Sequence, residues 1–204
     1  MDLETLRTGP LVDVADPAEV VAHERVFAGR VWDIVAETVR FGGAQMTREF
    51  MAHTGAVAVL ALDDAGNVLL INQYRQPIGT RDWEIPAGLL DVAGEPPLDA
   101  ARRELAEETD LVAERWEPLV SFFASPGGSN EVIHVFLARG LTPAPHAHER
   151  TDEEAEIVLR WVPLGEAVRA VLEGRVRNAP MMMAVLAAHA RGEAGAHRGS
   201  ALSA

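Results

Sequence analysis

The alternation of apolar and polar residues predicts β-structure in the first quarter of the chain. Within residues 20–51, three segments follow a period of two: EVVAHERVFA, RVWDIVAETVRF and AQMTREFM. Gly42 and Gly43 separate the last two segments and predict a hairpin turn there. Residues 55–62 are apolar at almost every position, which indicates a buried strand. Residues 68–73 are expected to be its hairpin partner, across the polar turn at 63–67.

The rest of the chain mixes helices and strands. The clearest helix is predicted at 97–109, PLDAARRELAEET, because proline stands in its first turn and strong helix formers follow. Further strands are expected at 119–124, 131–138 and 156–162, with closing helices at 164–173 and 178–189. Without regular β-α alternation, the pattern predicts an α+β fold, a mixed β-sheet sandwiched between helices with a small N-terminal β-sheet extension.

A length of 204 residues fits one ordinary domain with a small extension. We expect an N-terminal β extension at 1–53 and the main domain at 54–191. The segment 192–204 is poor in large apolar residues and is expected to form a flexible tail.

Composition narrows the classes of function. The formal net charge of −13 argues against nucleic acid as a partner, because such binding depends on neutralising phosphates with basic residues. No apolar run approaches the ~20 residues of a membrane helix, and the N-terminus does not resemble a secretory signal. The absence of cysteine excludes disulfides and thiolate sites, and it fits a cytoplasmic location.

The predicted helix at 97–109 concentrates carboxylates on one side. Glu104 and Glu108 stand four residues apart, one turn above each other, and Glu107 lies on nearly the same side. Like charges at this spacing destabilise a bare helix, whereas a bound Mg²⁺ ion would make them favourable. Charge runs of this kind are more often a solvated acidic face, so the spacing alone leaves both interpretations open.

The surrounding residues resemble the Nudix box, the metal-binding loop and helix of Nudix hydrolases. The resemblance spans residues 88–111, and it rests on Gly88, Glu95, Leu111 and the run REL-EE within the helix, at 103–108. Two departures occur: six residues rather than five separate Gly88 from Glu95, and Asp110 stands where the family has glycine. That glycine would end the helix in a left-handed conformation, which Asp tolerates better than most residues.

The resemblance implies a role for each matching residue. Glu104 and Glu108 would be the principal ligands of Mg²⁺, or of Mn²⁺, with Glu107 auxiliary and the carbonyl of Ala87 a further ligand. Arg103 would orient a neighbouring glutamate, and Glu95 would brace the loop. Loop geometry alone could equally explain these last two residues.

Residues outside the box resemble the ADP-ribose pyrophosphatase branch of the family. They are WEIPAG at 83–88, QYR at 73–75, and SPGGSNE at 125–131, which places Pro126 fifteen positions after Leu111. Pro126 and Gly127 belong to a loop whose backbone could approach a substrate closely, although an ordinary β-connection is the alternative. A nucleoside diphosphate sugar is therefore the expected substrate, and ADP-ribose the leading one.

The same resemblance suggests the remaining site residues. Glu154, or else Glu153, would be the general base, unless this acidic segment is only a solvated loop. Substrate contacts would come from Arg75 at a phosphate, Glu84 at a ribose or in the metal shell, Trp32 as an adenine platform, and Arg48. Trp32 could instead be a core residue, and His53, His134 and the methionines at 181–183 are assigned to packing. In this branch the N-terminal extension is exchanged between subunits, which implies a homodimer.

Two alternatives remain open. The catalytic helix does not discriminate base or sugar, so GDP-mannose or ADP-glucose could be the substrate instead. A module that senses ADP-ribose without cleaving it is a different class of function. Such modules usually lose box carboxylates or carry a DNA-binding domain, whereas this chain keeps the carboxylates and has no basic helix-turn-helix pattern after the core.

Overall fold

The computed structural model of the chain describes residues 10–148 and 156–193. The chain divides into two compact units, Met1–Met51 and Ala52–Ala204. In the first unit, strands β1 (Glu19–Phe27), β2 (Asp33–Phe41) and β3 (Ala44–Ala52) form a sheet in the order β1-β2-β3. Gly42 and Gly43 both have positive φ and form the predicted turn between β2 and β3. The domain roles predicted for 1–53 and 54–191 stay predictions, and most of the predicted tail at 192–204 lies outside the described residues.

The second unit contains two β-sheets and the helices that cover them. Its elements follow in this order: β4 (Ala56–Ala61), β5 (Asn67–Arg75), β6 (Thr80–Glu84), β7 (Ala87–Leu89), α1 (Pro97–Thr109), β8 (Leu111–Phe123), β9 (Val132–Pro143), β10 (Val158–Pro163), α2 (Leu164–Leu172) and α3 (Ala179–Ala190). A four-stranded sheet has the order β7-β4-β9-β8, with β4 and β9 parallel and the other pairs antiparallel. Strands β10-β5-β6 form an antiparallel sheet of three.

Helices cover both faces of the four-stranded sheet because its central strands are apolar on both sides. Val57, Val59 and Phe136 pack with Ala101 and Leu105 of α1. On the opposite face, the core joins residues of the same strands to α2 and α3; its members include Ala58, Leu60, Leu137, Val168, Met181 and Val185. This is the predicted α+β arrangement of a mixed sheet between helices, with a small N-terminal sheet besides.

The predicted hairpin of the strands at 55–62 and 68–73 is wrong. Strand β4 is buried along its whole length and is paired on both edges, with β7 and β9. No edge of β4 is therefore left for β5, which pairs with β6 and β10 in the other sheet. Only an isolated bridge between Leu62 and Val68 connects the two segments around the turn.

The structure also extends several predicted elements. Strand β8 begins at Leu111, eight residues before the predicted start at 119, and a register shift between Pro118 and Val120 interrupts its pairing with β9. Strand β9 continues past Gly140 to Pro143. The short strands β6 and β7 were not predicted. Helix α1 has the predicted bounds, and α2 and α3 agree with prediction to within a residue at each end. None of the helices in the described ranges is long and apolar enough to span a membrane.

Candidate active site

Helix α1 carries the carboxylates of the candidate site. It begins after Pro96, with Pro97 in the first turn, and ends at Asp110. Asp110 has φ 57° and ψ 30°, and among the described residues it is the only non-glycine with positive φ. Its amide donates to the Ala106 carbonyl at 3.0 Å, which closes the last turn. The expected left-handed helix end is therefore present, with aspartate in place of glycine.

Arg103 holds three carboxylates together. Its Nε and Nη2 donate to the two oxygens of Glu95 at 3.2 and 3.0 Å, and its Nη1 donates to Glu104 at 2.6 Å and to Glu107 at 3.1 Å. The hydrogen bonds from Arg103 lower the pKa of Glu95, and those to Glu95 and the nearby carboxylates raise the pKa of Arg103. The guanidinium thus braces the loop through Glu95 and offsets the like-charge repulsion within α1.

Gly88 lies directly beneath Glu104. A Cβ atom at Gly88 would lie closer than 3.0 Å to the carboxylate carbon and to both carboxylate oxygens of Glu104, a separation that real Cβ atoms essentially never show. The Glu104 side chain is only 12% exposed in this position. Glycine at 88 therefore leaves the room that the Glu104 carboxylate occupies, and a Cβ atom there would displace the end of that side chain.

Glu108 is bound to the strand that contains Ala87. The side chain is buried, and its Oε2 accepts a hydrogen bond from the Ala87 amide at 2.9 Å. Ala87 is itself fixed in β7 by pairing with Ala58. Helix α1 and strand β7 thus bring together all four predicted metal-binding residues, Ala87, Glu104, Glu107 and Glu108.

The donor set of these residues fits a hard divalent cation. Carboxylate and carbonyl oxygens are the ligands that Mg²⁺ prefers, and Gly88 leaves room for the Glu104 carboxylate against β7. Within residues 10–148 and 156–193, however, no three acidic or histidine side chains are already grouped to hold a metal. In this arrangement Arg103 binds Glu104 and Glu107, and the Ala87 amide donates to Glu108.

Arg75 and Glu84 form an ion pair across β5 and β6 in which only the glutamate is buried. Arg75 donates from Nε and Nη2 to the two Glu84 oxygens at 2.7 and 2.9 Å. The Glu84 side chain is 5% exposed and that of Arg75 41% exposed, so the pair presents the guanidinium outward. The sequence assigned Arg75 to a phosphate and Glu84 to a ribose or the metal shell, and the structure adds that Glu84 orients Arg75.

The Pro126–Gly127 loop is a compact turn between β8 and β9. The amides of Gly128 and Ser129 both donate to the Ser125 carbonyl at 2.9 Å. No atom of the described residues would lie within 4 Å of a Cβ atom at Gly127, so no contact among them requires glycine there.

His53 contacts the last residues of this loop, although the sequence assigned it only to packing. Its amide donates to Asn130 Oδ1 at 2.7 Å, and its buried ring lies 3.5 Å from a Glu131 oxygen. His134, also assigned to packing, forms a 3.0 Å hydrogen bond with Ser121 on the neighbouring strand. His134 lies three positions after Glu131 in the sequence, whereas His53 lies 72 positions before Ser125, so no local signal indicated its contact with this loop.

For four predicted site residues the structure gives no position relative to the α1 carboxylates. Glu153 and Glu154 lie outside the described residues. Trp32 and Arg48 belong to the first unit, where Trp32 is 40% exposed and Arg48 donates to the Thr47 carbonyl at 2.9 Å. The roles of these four residues stay predictions.

Comparisons with known proteins agree with this geometry. The chain is 45% identical over 175 residues to an ADP-ribose pyrophosphatase of Mycobacterium tuberculosis, covering 84% of this chain and 83% of that protein. It is 37% identical over 168 residues to an ADP-ribose pyrophosphatase of Bacillus subtilis, covering 82% and 90%. A solved structure of an ADP compounds hydrolase matches with a TM-score of 0.72, covering 89% of this chain and 98% of the other.

The identity to that structure is 20%, so it supports the fold alone. The sequence profile of the NUDIX domain matches residues 52–185, about two thirds of the chain and nearly all of its second unit. With the two-sided mixed sheet and the carboxylate helix, this match confirms the resemblance found in the sequence. The chain belongs to the Nudix family.

Proposed function

We propose that this protein hydrolyses the pyrophosphate bond of ADP-ribose, giving AMP and ribose 5-phosphate. The observation that carries the proposal is the complete carboxylate set of α1, with Glu104 packed against Gly88 and held by Arg103. Two relatives named as ADP-ribose pyrophosphatases align over more than four fifths of the chain and support the choice of substrate. A module that senses ADP-ribose without cleaving it would not need to keep these carboxylates.

Nudix hydrolases generally use divalent metal ions, and we propose Mg²⁺ here, with Mn²⁺ able to replace it. Glu104 and Glu108 would be its main ligands, with Glu107 and the Ala87 carbonyl as further ones. Such an ion, when bound, neutralises pyrophosphate charge and acidifies a coordinated water. The outward guanidinium of Arg75, oriented by Glu84, would hold a phosphate.

Glu154, or else Glu153, would accept the proton of the attacking water. The oxygen of that water forms a bond to one phosphorus atom, and the bond from this phosphorus to the bridging oxygen breaks. The bridging oxygen leaves on the other phosphate, so two phosphomonoesters result. General base catalysis is usually worth about 10²–10⁴-fold, so Glu154→Gln should lower kcat by that factor. A larger loss of kcat in Glu153→Gln would assign the general base to Glu153. Wild-type rates in both variants would show that neither glutamate is the base.

We further propose a homodimer in which the N-terminal extension, residues 1–53, is exchanged between subunits. Its described part exposes large apolar side chains: Leu11, Val12, Val14, Val26, Phe27, Val31 and Trp32. Exposed apolar surface of this extent in a small unit favours an association partner. Exchange would bring Trp32 and Arg48 into the partner's site.

Composition supports the remaining parts of the proposal. The net charge of −13 argues against nucleic acid as a partner, and the absence of cysteine supports a cytoplasmic location.

Mixed dimers test this exchange. Trp32→Ala and Glu104→Gln subunits, each weakly active alone, should regain up to about a quarter of wild-type activity when they are unfolded and refolded together. An exchanged dimer joins one intact Trp32 to one intact Glu104 in a single site. A monomer by light scattering, or no recovery on mixing, would contradict the exchange and leave the activity unaffected.

The activity is tested with a panel of nucleoside diphosphate derivatives, with products separated by chromatography. ADP-ribose should give AMP and ribose 5-phosphate, with kcat/KM at least about tenfold above that for GDP-mannose, or ~1.4 kcal/mol. EDTA should abolish turnover and Mg²⁺ restore it. A preference for GDP-mannose, ADP-glucose or a nucleoside triphosphate would overturn the substrate. Binding of ADP-ribose without turnover would point to the sensing module instead.

A further inference from the structure

A row of residues connects the catalytic carboxylates to a histidine and a serine on the same face of the four-stranded sheet. The strand register pairs Gly88 with Val57, Val57 with His134, and His134 with Ser121. Residues that are paired in register point to the same face of a sheet. Val57 packs against α1, and Glu104 occupies the space above Gly88, so this face is the one that carries the site.

The row runs across the sheet, away from Gly88. Neighbouring strands lie ~4.8 Å apart, so the Cα atom of His134 is roughly 10 Å from that of Gly88, with Val57 between them. The row ends at Ser121, four residues before Ser125, where the loop of Pro126 begins. His134 therefore lies on β9, two positions after that strand begins at the end of this loop.

His134 is held in a fixed orientation. Its Nδ1 lies 3.0 Å from the Ser121 hydroxyl, and the ring is half-buried. Its Nε2 makes no hydrogen bond to another residue of the described ranges. When the Ser121 hydroxyl donates to Nδ1, the proton of the neutral ring is on Nε2, which becomes a donor. The chain contains no lysine, so donors for a phosphorylated sugar must come from arginine, histidine or neutral groups.

We propose that His134, positioned by Ser121, binds the ribose 5-phosphate half of the substrate through Nε2. The inference rests on the proposed hydrolysis of ADP-ribose. His134 lies two strands from Gly88 in the order β7-β4-β9-β8, whereas Arg75 and Glu84 belong to the other sheet. With its pyrophosphate over Gly88 and Glu104, a substrate extends one of its halves along this row. The hydrogen-bond donors of His134 and Ser121 suit the phosphate and hydroxyls of ribose 5-phosphate, whereas adenine is assigned to the predicted Trp32 platform.

Two substitutions of similar size separate binding from packing. The amide nitrogen of Gln lies near the position of Nε2, and that of Asn near Nδ1, so His134→Gln keeps the donor toward the substrate and His134→Asn loses it. His134→Asn should raise KM for ADP-ribose, and the inhibition constant of ribose 5-phosphate, about three- to tenfold, the worth of one hydrogen bond. The inhibition constant of AMP and kcat should stay within about twofold. His134→Gln should stay near wild type, and Ser121→Ala should raise KM about two- to threefold.

His189→Ala is the matched control, because His189 is exposed on α3, which covers the opposite face of the sheet. Melting temperatures of all variants should agree within about 2 °C of wild type. Equal losses in His134→Gln and His134→Asn, or a larger change for AMP than for ribose 5-phosphate, would overturn the assignment.

A binding measurement without metal separates this inference from the proposed function. In EDTA, the His134 ring signals in NMR spectra should shift when ribose 5-phosphate is added and stay in place with AMP. Absence of a shift with ribose 5-phosphate refutes the role of His134 even if wild type hydrolyses ADP-ribose. A shift in a protein that does not hydrolyse ADP-ribose supports His134 while the proposed function fails.

Discussion

Replacing Gly88 by alanine tests how tightly the catalytic helix packs against β7. The added Cβ atom would lie closer than 3.0 Å to three atoms of the Glu104 carboxylate, whereas carbon atoms in contact are normally about 3.5–4.0 Å apart. The end of the Glu104 side chain must therefore move by roughly 1–1.5 Å. Because this end is flexible and no backbone atom is in the way, the cost should be about 1 kcal/mol, the lower end of the range for overpacking, which lowers the melting temperature by roughly 2–4 °C.

The effect on turnover should be larger than the effect on stability. A misplacement of about 1 Å in a catalytic group can reduce the rate roughly 10²-fold, and Glu104 is a principal metal ligand under the proposed function. Gly88→Ala should therefore remain folded, as judged by circular dichroism, while kcat for ADP-ribose falls about a hundredfold. The required metal concentration should rise, because one ligand no longer occupies its position.

A double-mutant cycle identifies the cause. In a Glu104→Ala background the carboxylate is absent, so the added Gly88→Ala should cost less than about 0.5 kcal/mol, and the two substitutions should be strongly non-additive. Gly165→Ala is the control, because a Cβ atom in α2 at Gly165 meets nothing within 4 Å and should leave stability equal or slightly higher. Wild-type turnover in Gly88→Ala, or additive stability losses, would refute the close-approach argument.

Three further predictions concern the charged residues of the site. Glu104→Gln should keep or slightly raise the metal-free melting temperature while activity at saturating Mg²⁺ nearly disappears; wild-type-like turnover would exclude the metal site. Arg75→Ala should raise KM more than it lowers kcat in steady-state assays. It should also cost about 1–3 kcal/mol in urea unfolding, because the buried Glu84 carboxylate loses both its hydrogen bonds from Arg75; an unchanged KM would contradict the phosphate role. Arg103 lowers the pKa of Glu95, so the folded protein binds fewer protons there than the unfolded chain. This stabilisation is complete above the ordinary pKa of 4.5 and is lost as pH falls through the lowered pKa of Glu95. The melting temperatures of wild type and Glu95→Gln should therefore converge as pH falls below 4.5. A difference that stays constant down to about pH 3 would contradict this argument.

The part of the site that sequence could predict is the part built from neighbouring residues. Glu104, Glu107 and Glu108 are arranged by one helix, and the spacing of a helix is fixed by its own backbone. The left-handed end at Asp110 is likewise a local property, and its prediction is confirmed. Membership of the Nudix family followed from such local patterns together with the segments before and after the helix.

Contacts between distant segments could not be predicted in the same way. Strand β4 has the composition of a buried strand, but composition does not say that β7 and β9 occupy its edges and exclude β5. The pairing of Arg75 with Glu84 depends on the register of β5 and β6, and β6 itself was not expected. The contact of His53 with Asn130 also joins distant segments, and that of His134 with Ser121 depends on the register of β8 and β9, so neither was predicted.

The parallel pairing of β4 with β9 has a consequence for how the active protein forms. Ala56 and Ile133, 77 positions apart, are partners in this pair. Between them lie β5, β6, β7, the whole carboxylate helix and β8. Contacts between such distant residues form slowly, because a long loop must close before they contribute stability. During refolding, the helical signal in circular dichroism should therefore return before enzymatic activity does. The pairing of β4 with β9, on which the site rests, should be among the last contacts to form.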